Sequence, residues 1–95
     1  MNPVRDTTVM FYTYILQSEK NGRLYTGATS DLRKRLDLHN DGKSSFTKKD
    51  KPYKLIYYEA CKNKEDAFVR EKYLKSGPGK RFIKNRLRRF LSLTG

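Results

Sequence analysis

The stretch "LYTGATSDLRKRLDLHN" (residues 24–40) carries Arg35 and His39, the chain's only histidine, four residues apart. At about 100° per residue, Leu32 and Leu36 define the apolar side of a helix, and Arg35 and His39 fall within about 60° of Leu32. A second helical stretch, "KEDAFVREKYLK", repeats the anomaly, because Glu71 lies in the middle of the arc set by Ala67, Phe68 and Leu74. Unpaired buried charge is costly, so these side chains need partners. One solution is an internal Arg35–Glu71 ion pair bridging two helices. The other is a cleft in which a guanidinium binds a phosphate and a carboxylate holds a divalent cation. Taken alone, His39 reads as a capping or hydrogen-bonded residue near the helix end.

Two phenols join this set. With Asn21-Gly22 at a hairpin turn, Tyr14 and Tyr25 share one sheet face with Tyr12, while Phe11, Thr13 and Ile15 point to the other. A strict two-residue loop would offset Tyr14 from Tyr25 by four positions, roughly 13 Å. A four-residue loop sets them directly opposite, and this is the expectation. Gly27, two residues beyond Tyr25, allows either close approach of a ligand to the backbone or a bulge.

The elements that must hold these residues can be read around them. "MFYTYILQ" (10–17), rich in aromatic and β-branched residues, reads as a strand, and "RLYTGA" (23–28) as its hairpin partner across "EKNG". Thr29 or Ser30 is expected to N-cap the first helix, with Asp31 in its first turn and its end near Asn40. "NDGKSSFTKKDKP" forms a basic loop and "YKLIYYEA" (53–60) a third, largely apolar strand. Asn63 caps the second helix, which stops at Ser76-Gly77-Pro78-Gly79. From Lys80 a third helix places Ile83, Leu87, Phe90 and Leu91 on one stripe. The order β-β-α-β-α-α predicts an α+β fold: a small, mainly antiparallel three-stranded sheet flanked by helices. Residues 1–9 read as a flexible arm and 10–92 as one domain.

A chain of 95 residues buries only roughly 60–65% of its unfolded surface, too little for a second domain. Twenty-two Lys and Arg against ten acids give a net charge of +12, a field that draws in polyanions. Nucleic acid is therefore the leading partner class, and ribosomal or architectural roles fit the same charge. The lone Cys61 excludes a disulfide framework and a thiolate zinc site, permits a reducing compartment, and reads as a packing residue. No run approaches the ~20 apolar residues of a membrane span, and the first residues lack a signal-peptide core. A cytoplasmic protein without a membrane partner is expected.

Together, "YTY" (12–14), "YTG" (25–27), Arg35 ten residues after Tyr25, His39 four later and Glu71 in "REKYLK" resemble the GIY-YIG nuclease superfamily over about residues 10–90. The similarity is strongest to its small single-domain bacterial members. Tyr12-Thr13 stands where the name has Gly-Ile, and Thr26 where it has Ile; both tyrosines are kept. Asn85 is the candidate for the superfamily's late asparagine, as a further catalytic residue.

The resemblance implies a divalent-metal-dependent DNA endonuclease that hydrolyses phosphodiester bonds with one Mg2+ or Mn2+ ion. It would be structure-selective or weakly sequence-specific and act in DNA repair or recombination. Tyr14, Tyr25, Arg35, His39 and Glu71 would form the catalytic site. Glu71 would be the sole strong protein ligand of the metal, and Arg35 would donate two hydrogen bonds to the scissile phosphate. Tyr14 would be the base or proton relay for the attacking water, with Tyr25 positioning it and His39 accepting the tyrosine proton. The basic loop (Lys43, Lys48, Lys49, Lys51) and the third helix (Lys80, Arg81, Lys84, Arg86, Arg88, Arg89), with Gly27, would track the backbone of branched or duplex DNA. Without a separate reading domain, the chain would be structure-selective, work with a protein partner, or have low activity. Two other readings keep the charge: a catalytically weak DNA- or RNA-binding module of the same fold, and an architectural RNA binder indifferent to Glu71.

Overall fold

The aromatic and β-branched run Phe11–Ser18 becomes the central strand, β1, of a three-stranded antiparallel sheet. Its neighbours are β2 (Leu24–Thr29) and β3 (Tyr53–Cys61), in the order β2-β1-β3. Four helices complete the α+β fold: α1 (Leu32–Asn40), α2 (Lys64–Leu74), α3 (Gly77–Arg86) and α4 (Arg88–Thr94). This computed structural model describes residues 9–44 and 47–94. The arm expected at 1–9 lies outside the described residues apart from Val9, as do residues 45 and 46 of the basic loop.

Residues 13–18 of β1 are all buried because helices cover both faces of the sheet. On one face Tyr14, Leu16 and Tyr53 pack with Leu32 and Leu36 of α1. On the other, Ile15 packs with Leu74 of α2 and Ile83 of α3. A register shift between Ile15 and Leu16 leaves Ile56 as the extra residue of β3. That bulge turns both Ile56 and Tyr57 toward the α2–α3 face while Leu55 stays on the α1 face.

Local chemistry sets the helix ends. Asp31, not Thr29 or Ser30, caps α1: its side chain accepts from Lys34 N at 3.0 Å. Thr29 Oγ1 instead accepts from Asp31 N, shaping the turn that precedes the cap. At the other end the Asn40 carboxamide brackets Tyr53, accepting from its N–H and donating to its carbonyl. Asn63 caps α2 as expected, accepting from Asp66 N.

Ser76-Gly77-Pro78-Gly79 begins a helix rather than only ending one. Ser76 is the N-cap of α3 and Pro78 sits in its first turn, where a missing N–H costs nothing. Gly79 is buried against the backbone of Tyr73 and Leu74, so any side chain there would collide with main-chain atoms. The single long third helix is also divided: Leu87 leaves helical geometry, and Phe90 sits on α4, partly exposed, with Lys54 Nζ 5.4 Å from its ring centroid.

Candidate active site

Because α1 and α2 lie on opposite faces, the site is not enclosed between the tyrosine face and the second helix. Instead a cleft of about 470 Å³ wraps the edge strand β2. Tyr25, Gly27, Ala28 and Thr29 of β2, Arg35 of α1 and Glu71 of α2 all line it. An edge strand leaves room for groups from both faces to meet beside it. That is why inward-facing residues of two separated helices reach one cavity.

The hairpin has the expected four-residue loop, Glu19–Gly22, but the pairing is offset by two positions from the predicted register. Tyr14 pairs with Gly27, and Tyr25 with Leu16. The two tyrosines are therefore diagonal neighbours with ring centroids 6.5 Å apart. Gly27 makes no bulge; a Cβ there would stand inside the Tyr14 phenol. Glycine is required because the Tyr14 ring lies across its position.

Tyr14 is 1% exposed and is not among the residues lining the cleft. Its hydroxyl is 3.1 Å from His39 Nε2, and His39 Nδ1 is 2.7 Å from Thr47 Oγ1. His39 and Thr47 are 1% and 0% exposed, so the three form a buried hydrogen-bonded chain running from the central strand to the basic loop. Tyr25 stacks edge-on against the imidazole at 4.9 Å, and Tyr53 closes the far side at 6.1 Å. Burial, assisted by Tyr25, pushes the Tyr14 phenol up to about 12, although the Arg35 guanidinium pulls the other way. Burial and then Arg35 hold the His39 imidazole below its ordinary value. At neutral pH the pair is a protonated phenol and a neutral imidazole.

Glu71 does not pair with Arg35. Its carboxylate meets Lys75 one turn along α2, Nζ to Oε2 at 2.9 Å, leaving the Arg35 guanidinium directed at the cleft and at Tyr14. The next residue back, Arg70, makes a bidentate bond to Glu59 of β3 at 2.9 and 3.0 Å, and Tyr57 donates to the same carboxylate. Burial would raise the Glu59 carboxyl, but these bonds outweigh it and hold it below the usual range. Arg70 also stacks on Tyr73 and Phe82. This clamp ties α2 to β3 one residue before Glu71.

The remaining predicted contacts lie elsewhere. Lys43, Lys48, Lys49 and Lys51 are exposed on the basic loop and do not line the cleft. Lys80 and Lys84 border a groove with Leu24, Thr26 and Ile83, while Arg81 is exposed beside them. Asn85 and Arg88 sit with Arg86 and Arg89 at the α3–α4 junction, in a separate hollow, so Asn85 does not line the β2 cleft. Cys61 is half-buried, its thiol donating to the Asn63 carbonyl. Sequence reasoning missed Thr47, Lys64 and the Glu59–Arg70 clamp. It also placed Phe68 in the core, whereas the ring is 49% exposed and lines the cleft.

Among the described residues, no three His, Cys, Asp or Glu side chains gather to hold a metal. A single cleft carboxylate suits an oxygen-seeking ion that keeps most of its waters, as magnesium does, and not a zinc site. No described helix is long and apolar enough to cross a membrane.

This constellation of two tyrosines, arginine, histidine and glutamate around a β-hairpin edge coincides with a family model, the GIY-YIG catalytic domain, which matches residues 10–90. The chain belongs to the GIY-YIG family. It is 45% identical over 67 residues to the UPF0213 protein CPE1444 of Clostridium perfringens, covering 70% of this chain and 71% of that one. The UPF0213 protein SAG0778 of Streptococcus agalactiae is 42% identical over 65 residues, covering 67% and 73%. The UPF0213 protein SpyM50708 of Streptococcus pyogenes is 43% identical over 70 residues, covering 73% and 75%. No solved structure matches the chain. A GIY-YIG domain is a nuclease domain, and its substrate is a nucleic acid.

Proposed function

We propose that this GIY-YIG domain is a cytoplasmic, metal-dependent DNA endonuclease whose catalytic cleft is the one around β2. The observation that carries this reading is the convergence of Arg35 and Glu71, from helices on opposite faces, beside the Tyr25 phenol. Arg35 donates to the non-bridging oxygens of the scissile phosphate and stabilises the charge that grows there. Glu71 would hold the ion, which would supply charge neutralisation when bound. Lys75 is half exposed and can swing away from the carboxylate when a stronger cation arrives.

The two tyrosines divide the work by exposure. Tyr25 faces the cleft and orients the attacking water. Tyr14 is sealed in with its hydroxyl 3.1 Å from His39 Nε2, so its part is to hold the Arg35 and His39 positions. In the reaction a water oxygen bonds to phosphorus and the opposite P–O bond breaks. The proton lost by water is balanced by one taken up at the leaving oxygen. The flanking loop and α3 cations contact phosphates, so they position the strand without reading sequence, which favours structure-selective cleavage in repair or recombination.

The test is cleavage of duplex, single-strand, flap, fork and four-way DNA with magnesium or manganese, with binding measured in parallel. The wild type should cut, Glu71→Ala and Arg35→Lys should not, and Glu71→Ala should still bind. A folded wild type that binds all of these and cuts none with either ion would replace this reading with a binding module of the same fold.

A further inference from the structure

Phe68 is the cleft residue that the hydrolytic chemistry leaves unused. A core position would bury its ring beside Ala67 and Leu74; instead those two are buried and the phenyl ring is half exposed. It lines the same cavity as Arg35 and Glu71, together with Phe11 and Ala28. Lys64 also lines it, with Nζ 5.7 Å from the Phe68 ring centroid. Lys64, Phe68 and Glu71 recur at i, i+4 and i+7, so they form one row along α2. At the helical rise, Phe68 stands about 4.5 Å along the axis from Glu71, and Lys64 about 6 Å beyond it. One end of the cleft therefore suits a phosphate and its ion, and the adjoining end offers a half-exposed aromatic ring with a cation over it.

An exposed ring beside a cation, continuous with a phosphate-binding group, is the combination on which single-stranded nucleic acids stack their bases. We propose that Phe68 and Lys64 form a subsite for an unpaired nucleobase flanking the phosphate at Arg35. The proposal rests on the nuclease reading and narrows its substrate class. A base within an intact duplex has both faces covered by its neighbours, so it must leave the stack before Phe68 can meet it. The domain then selects strands that are single, frayed or distorted at the scissile position. Lys64 adds charge to the strand that the stacked base belongs to.

The experiment measures binding of the full chain, without divalent metal, to an oligodeoxythymidylate and to an abasic strand of equal length and charge. Phe68→Ala should weaken binding to the thymidylate by about 5- to 150-fold, the equivalent of one lost base stack. It should leave binding to the abasic strand unchanged, and Phe68→Tyr should retain wild-type binding to both. Arg35→Ala should weaken both strands alike. Equal effects of Phe68→Ala on the two strands, or no effect on either in a variant whose thermal unfolding matches wild type, overturns the base subsite. Loss of the Arg35 effect alone would remove the phosphate site of the nuclease reading and leave the base subsite standing, so the two failures are distinguishable.

Discussion

At the scale of single residues, Thr47 determines how His39 can work. The hydroxyl lies 2.7 Å from His39 Nδ1 in a fully buried position, so the tautomer of the ring depends on it. If Nδ1 carries the hydrogen, Nε2 is left to accept from Tyr14. Thr47→Val keeps the shape and removes the oxygen, stranding a buried ring nitrogen; it should cost about 1–3 kcal/mol in urea unfolding, and Thr47→Ser should recover most of it. His39 also sets an acid limit. Burial and Arg35 depress its folded pKa, whereas the unfolded chain takes up a proton near the ordinary value of about 6.5. Between those two values the unfolded state binds more protons, so this contribution is fully present above about pH 6.5 and is lost as pH falls toward the folded value. Urea titrations from neutral pH downward should show a steeper loss of stability for wild type than for His39→Gln.

At the scale of elements, α2 must present Glu71 and Phe68 to the cleft while burying Ala67 and Leu74. The Arg70–Glu59 clamp ties the helix to β3 between those positions. Arg70→Lys keeps the charge and loses the fork; with both side chains about a third exposed, the cost to stability should be no more than about 1 kcal/mol. If the clamp orients Glu71, cleavage should fall by more than that energy accounts for, a comparison of rate against unfolding free energy that a merely stabilising role would not satisfy. The helical period alone made Arg35, His39 and Glu71 legible, because a polar residue on an apolar arc is visible in any window of the sequence. The three strands along the chain and the Asn63 cap were legible for similarly local reasons. The hairpin register was not, since the Glu19–Gly22 turn is held from afar: Ser18 Oγ donates to the Asp50 carbonyl, and Asn21 Nδ2 to the Asp50 carboxylate. Phe68 was misread because periodicity reports which way a helix faces and not that the sheet beneath it ends at β2. Asn85 came from the resemblance alone, and no local pattern in the sequence shows that it sits at the α3–α4 junction away from the β2 cleft.

At the scale of the whole molecule, a charge of +12 on 95 residues makes binding to any polyanion easy, so binding alone cannot say where a strand runs. The second half of the basic loop, residues 47–50, is nevertheless tied down. Asp50 is tied to the hairpin, Lys20 Nζ donates to the Lys49 carbonyl, and Thr47 anchors the loop to His39. Lys48, Lys49 and Lys51 are thus presented from a segment tied to the hairpin and to His39, while Lys80 and Lys84 stand on the opposite, α3 side. Counterion release separates these two tracks. Each phosphate neutralised on duplex DNA adds about 0.9 to the slope of log affinity against log salt, so a lysine that contacts the backbone takes about that much away when it becomes glutamine. If the strand follows the loop into the β2 cleft, Lys48→Gln and Lys51→Gln should each flatten the slope, and Lys80→Gln and Lys84→Gln should leave it unchanged. The reverse pattern would route the strand over α3, and equal flattening by all four would mean a strand long enough to touch both sides of the domain.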